Sequence, residues 1–144
     1  PLRGVKDPWC RATPRARWTA FFSWPDLMTA IQERLPLAGP LTGLQISRKD
    51  LSGYVLSFVA RVGRSSVEVK SRDLRRALGA GELQSTKILK LVSRSRGIEF
   101  VGAGSGHGVG LCQWGARVQA EKGRSYDRIL RFYFPGAELS EVVP

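Results

Sequence analysis

The chain has 144 residues, 42% of them hydrophobic, and a formal net charge of +11. This is one domain's worth of chain, or a large part of one, with enough apolar residues for a core. No run of ~18 apolar residues exists, which excludes a membrane-spanning helix. The opening, Pro1-Leu2-Arg3-Gly4-Val5, has neither an initiator Met nor a signal-peptide pattern. It reads like the middle of a gene product, with any export signal or anchor lying upstream. The positive charge favours anionic partners through long-range attraction. Its Arg and Lys residues are scattered, and no basic arm, zinc-finger spacing or RNA-binding aromatic motif accompanies them, but charge alone does not decide between nucleic acid and another anionic polymer.

In chain order, residues 15–23 read as a strand rich in aromatic side chains. Ser23 is a good N-cap for a helix opening at Trp24, with Pro25 and Asp26 in its first turn. Leu27, Ile31 and Leu35 give that helix an apolar stripe, and the stretch 36–40 ends it. Residues 41–48, 54–62 and 66–70 read as three strands of a meander, with a turn at Ser52-Gly53 and punctuation at Gly63. Ser71 is expected to cap a short helix over 72–78, closed by Gly79. Residues 86–92 and 97–101 read as a further strand pair, and the pattern from Val109 through Ala120 as a helix starting just after a run of glycines. A last helix over 125–132 stops at Pro135-Gly136. The order is α+β with mainly antiparallel strands. The expected core includes Trp18, Phe21, Leu27, Ile31, Leu44, Ile46, Val55, Phe58, Val67, Val69, Leu74, Leu78, Ile88, Phe100, Val118, Ile129 and Leu130.

The run 102–116 carries the most chemistry. It holds the only histidine, His107, between Gly106 and Gly108, with Gly102, Gly104 and Gly110 close by. Glycine permits backbone angles and close approaches that a Cβ forbids. A helix start adds N–H groups that lack partners and carry partial positive charge, which suits a polar or anionic ligand. A tight loop with a structural histidine has the same pattern. The run lacks both the dinucleotide fingerprint and the Lys-Ser/Thr ending of a phosphate loop, so nucleotide binding is not expected. Two cysteines, Cys10 and Cys112, are far apart in sequence; a disulfide is open to them in an exported protein. No metal site is expected, since the one set of ligand types, Cys10, Cys112 and His107, lacks close spacing.

Ser105-Gly106-His107-Gly108-Val109-Gly110-Leu111-Cys112-Gln113-Trp114-Gly115-Ala116, followed by Gly123, Tyr126 and Phe132-Tyr133-Phe134-Pro135-Gly136, resembles the C-terminal signature of the stage II sporulation protein D family (SpoIID/LytB). The family's usual form is Gly-His-Gly-Val-Gly-Met-Ser-Gln-Trp-Gly-Ala, later Tyr-Tyr-Pro-Gly, so Cys112 departs from the usual Ser. Residues 1–5, Asp7-Pro8-Trp9-Cys10, Arg17-Trp18-Thr19, residues 50–55 and Leu83-Gln84-Ser85-Thr86 are similar to the family too, and the resemblance covers nearly the whole chain. It implies that residues 1–144 are the C-terminal part of a SpoIID-like domain. Relatives often carry another Cys upstream, which would leave Cys10 without its natural partner.

The resemblance implies a lytic transglycosylase of peptidoglycan, cutting between N-acetylmuramic acid and N-acetylglucosamine. The muramyl C6 hydroxyl captures C1 and gives a 1,6-anhydro product, with one glutamate serving as acid and then base. In the family that glutamate sits in a Gly-Glu-Met-Pro-like setting. None of the twelve acidic residues here does, so this chain by itself is expected to be inactive. Glu68 and Glu99 read as outer-face partners of Lys or Arg. The resemblance assigns substrate contacts to His107, Gly106, Gly108, Gln113, Trp114 and Tyr133, with Gln113 on an acetamido group and Trp114 packing on a sugar face. No cofactor is expected. The partners implied are peptidoglycan glycan strands, not nucleic acid, and a cell-wall amidase or other wall-remodelling protein. The setting implied is extracytoplasmic: cell wall, periplasm or intermembrane space. The LytB side of the family implies the alternative, a non-catalytic wall-binding or amidase-enhancing module.

Overall fold

The computed structural model describes residues 4–10, 16–33, 35 and 38–140. It is α+β, with antiparallel strands and short helices as expected, and the chain divides into two compact units. One unit runs from Arg17 to His107. The other joins the N-terminal segment to the chain from Gly108 onward. Among the described residues, no helix is long and apolar enough to cross a membrane.

The larger unit holds two three-stranded sheets. In one, β1 (Arg17–Ser23) pairs with β6 (Gly97–Ala103), which pairs with β5 (Ile88–Arg94). The expected strand pair β5–β6 thus gains β1 as a third member. The other sheet is the expected meander: β2 (Leu41–Lys49), β3 (Val55–Val62) and β4 (Ser65–Lys70). The sheets are tied at one end, where Val55 N–H donates to Thr86 O at 2.8 Å and Lys49 Nζ to Ile88 O at 2.9 Å. Helices α1 (Trp24–Gln32) and α2 (Ser71–Leu78) complete the unit. Aromatic side chains carry its core. The Phe100 ring meets Phe22 edge-on at 5.5 Å and Phe58 at 6.1 Å, and each buried ring contributes about 1.5–3 kcal/mol through area removed from water.

Several boundaries and one core assignment need correction. Phe21 is 52% exposed, and Phe22 is buried in its place. A strand alternates faces at every residue, so with Trp18 inward the next inward positions are Ala20 and Phe22, and Phe21 points away. Ser71 does not cap α2. The N-cap is Lys70, in extended conformation, and the buried Ser71 hydroxyl donates to Val55 O. Ser23 does cap α1, accepting from Asp26 N–H at 3.2 Å. That helix ends at Gln32, short of the expected prolines, and residues 36 and 37 lie outside the described residues. Residue 15 of the expected first strand does so as well. Ile46, Val67, Leu78, Val118 and Leu130 are half-buried. Glu68 and Glu99 sit as expected, with Arg48 at 3.5 Å and Arg94 at 3.3 Å.

The smaller unit contains α3 (Gln113–Glu121) and α4 (Tyr126–Tyr133). The expected helix start at Val109 is corrected to Gln113. Gly108 and Gly110 have φ of +73° and +117°, which a right-handed helix does not accommodate, and Cys112 is still extended as the N-cap. Tyr133 and Ile129 of α4 and Gln119 of α3 are buried. The structure joins Cys10 to Cys112, pinning the N-terminal segment to the start of α3.

Candidate functional site

The glycine run begins where β6 ends. Gly104, Gly106, Gly108 and Gly110 all have positive φ, at every second position, so only glycine fits these sites without strain. On the larger unit the run is held from three directions. The Trp18 indole N–H donates to Gly104 O at 2.9 Å, Ser85 Oγ to Ala103 O at 2.8 Å, and Gly106 N–H to Gln84 O at 2.9 Å. Ser85 and Gly106 form a parallel bridge. A Cβ on Gly102 would overlap the Trp18 ring, so this close packing requires glycine there as well.

The segment that grips the run is itself gripped. Arg75, on α2, donates to Leu83 O at 2.8 Å, Gln84 O at 3.0 Å and Ala80 O at 3.5 Å. A guanidinium offers five donors in a fixed fork and suits such a cluster of carbonyls. His107 follows directly on this anchored turn and is exposed. Arg75 carried no signal in the sequence reading, because an arginine on a short helix looks like any solvated charge.

On the smaller unit, Cys112 caps α3 with Sγ accepting from Gly115 N–H at 3.5 Å. Gln113 and Trp114 both lie exposed in the first turn, Trp114 at 44%. The Arg117 guanidinium stands 5.5 Å from the Trp114 ring centre and pairs with Glu121 at 2.7 Å. Tyr133, another of the expected contacts, lies inward. It is 5% exposed, and its hydroxyl donates to Asp7 Oδ2 at 2.7 Å. Burial, and then Asp7, push its ionisation well above the usual tyrosine range. It is therefore a fixed neutral donor. Trp9 N–H donates to the other carboxylate oxygen, Asp7 Oδ1, at 2.8 Å. Gly115 lies against this pair, and a Cβ there would overlap the Tyr133 hydroxyl and Asp7 Oδ2. The Trp9 ring is flanked by Lys122 Nζ at 4.8 Å and the Arg124 guanidinium at 5.0 Å.

The six expected contact residues divide between the units. Gly106 and His107 belong to the larger, while Gly108, Gln113, Trp114 and Tyr133 belong to the smaller. Of Cys10, Cys112 and His107, the one set of ligand types weighed for a metal in the sequence and not expected to bind one, Cys10 and Cys112 do come together. The third group that converges on them is Asp7, whereas His107 lies in the other unit.

Residues 10–110 match the family model described as Domain of unknown function (DUF8618), and the chain belongs to that family. Its relatives bear out the resemblance to the stage II sporulation protein D family. Stage II sporulation protein D of Bacillus amyloliquefaciens is 31% identical over 145 residues, 97% of this chain and 38% of that protein. The protein of the same name in Bacillus subtilis is 27% identical over 143 residues, again 97% of this chain and 38% of the relative. The amidase enhancer of Bacillus subtilis is 38% identical over 76 residues, 53% of this chain and 11% of that protein. The chain thus spans well under half the length of these relatives.

Proposed function

We propose that this chain works on peptidoglycan glycan strands outside the cytoplasm, as the C-terminal part of a SpoIID-like lytic transglycosylase. The observation that carries the reading is the similarity to stage II sporulation protein D along 97% of the chain. Its glycine–histidine run is held by hydrogen bonds up to Gly106, and His107 on the larger unit and Gln113 and Trp114 on the smaller are each exposed. In this reading His107 exchanges hydrogen bonds with a sugar oxygen or with the family's glutamate. The positive-φ glycines Gly106 and Gly108 let the glycan approach the backbone. Gln113 takes an acetamido group and Trp114 an apolar sugar face. Tyr133 acts one layer back, by holding Asp7 beside the start of α3. The net charge of +11 supports an anionic polymer as partner.

A positioned general acid is typically worth ~10²–10⁴ in rate, and no acidic residue here occupies the family's setting for one. The 144-residue chain by itself is therefore expected to leave purified sacculi intact. Muropeptide analysis reads this directly, and a 1,6-anhydro product from the isolated chain would refute it. The second reading, a non-catalytic amidase-enhancing module, is favoured by the 38% identity to the amidase enhancer. Activity of the whole gene product on denuded glycan separates the two: cleavage supports the first, and stimulation of a wall amidase without cleavage supports the second.

A further inference from the structure

We propose that Asp7, Cys10 and Cys112 are the protein ligands of a zinc-class divalent cation, and that the Cys10–Cys112 disulfide is the oxidised, metal-free state of that site. One carboxylate oxygen and the two sulfurs lie within 4.8 Å of one another, all on half-buried residues. Asp7 Oδ2 stands 2.9 Å from Cys10 Sγ. A disulfide sulfur has no proton to offer a carboxylate, so this approach is unrewarded while the sulfurs are bonded to each other. It is satisfied when the sulfur is a thiol, and better when a cation lies between the two. The Cα atoms of Cys10 and Cys112 are 7.6 Å apart, wider than the usual disulfide span of about 4.4–6.8 Å and ample for two thiolates reaching around one ion.

The surroundings fit the same chemistry. Two thiolates and a carboxylate are a borderline-soft donor set that suits zinc, with a fourth position left for water or another ligand. Tyr133 O–H and Trp9 N–H each hold one Asp7 oxygen, the kind of outer hydrogen bonding that fixes a ligating carboxylate. Cys112 is the N-cap of α3, where the helix terminus favours a thiolate, and Gly115 N–H points at its sulfur. Loading begins with thiol–disulfide exchange. A dithiol reductant breaks the Cys10–Cys112 bond, gives the protein two thiols and is itself oxidised to a disulfide. The cation then binds two thiolates and releases two protons to solvent.

The test is cobalt binding by the whole protein, reduced with a phosphine and stripped of metal. The expected result is a near-ultraviolet thiolate-to-cobalt absorption that saturates at one ion per chain and is displaced by zinc. Its absence overturns the proposal. Cys10→Ser and Cys112→Ser should each abolish that absorption. Asp7→Asn should keep it while weakening affinity about tenfold or more, and unchanged affinity would remove Asp7 from the set. If the cysteine variants fail to fold, zinc K-edge X-ray absorption on the unaltered reduced protein decides. Two sulfurs near ~2.3 Å with oxygen near ~2.0–2.2 Å are expected, and a shell without sulfur overturns the proposal.

Discussion

Tyr133 binds Asp7 across 126 positions of sequence, and a hydrogen bond to a charged acceptor is worth roughly 1.5–3 kcal/mol. Tyr133→Phe keeps the ring and leaves one Asp7 oxygen without that donor, so the variant is expected to lose about that amount in denaturant unfolding. A pH dependence follows from the same contact. In the unfolded chain the tyrosine ionises near its ordinary value of 10.0, whereas burial and Asp7 hold the proton on in the folded state. This contribution to stability is complete below about pH 10. It is lost as pH climbs through the folded value. Tyr54 is raised as well, by burial and Asp50, so Tyr133→Phe should flatten only part of the alkaline decline. An identical decline in wild type and variant would disprove the assignment. The sequence reading gave Tyr133 to substrate because its neighbours in sequence match a motif. The hydrogen-bond partner of its hydroxyl, Asp7, lies far away in the chain, and no periodicity reports a pairing of that kind.

Among the elements, α2 shows how a short helix stabilises a loop it does not contain. Arg75 holds the carbonyls of Leu83 and Gln84, and Gln84 O also receives Gly106 N–H. Arg75→Ala should therefore speed amide exchange at Gly106 and across residues 80–84, leaving the paired amides of β3 and β6 protected. Exchange measured by NMR checks this, and a Gly106 amide indifferent to the substitution would contradict it. Element types were legible in the sequence wherever a pattern runs through one segment. The α1 cap at Ser23, the three-strand meander and the closing helix are read from alternation and turn residues. The differences arise where a tertiary contact or a backbone angle overrides the local pattern. Ser71 turns its hydroxyl into the core toward Val55 O, and the positive φ of Gly108 and Gly110 delays α3 until Gln113. The outward turn of Phe21 follows from the parity that Trp18 sets along β1.

At the scale of the whole molecule, the excess charge divides between units made of many elements, so attraction to an anionic wall should be broad. Screening shortens such forces to about 10 Å at 0.1 M salt. Sedimentation with purified sacculi is expected to fall steadily as ionic strength rises. Binding that ignores salt would argue instead for a specific glycan pocket, and its loss in a folded Trp114→Ala variant would locate that pocket. The α+β class was legible from the order of elements. The division into two units was not, because the smaller one is assembled from both ends of the chain, and its tie, Cys10 to Cys112, looked open to several roles.

That tie has a topological meaning. It bonds residues 102 apart in sequence, and the covalent ring it closes contains the whole larger unit, whose first strand is paired to its last, Arg17 opposite Ala103. Along the chain the unit is therefore an insertion between the two segments of the smaller one. A protease that nicks the ring once, at the exposed β2–β3 hairpin tip where Leu51 stands wholly in solvent, opens the circle without releasing a piece. The cut chain should keep its full mass under non-reducing denaturation and fall into two fragments only when a thiol is added.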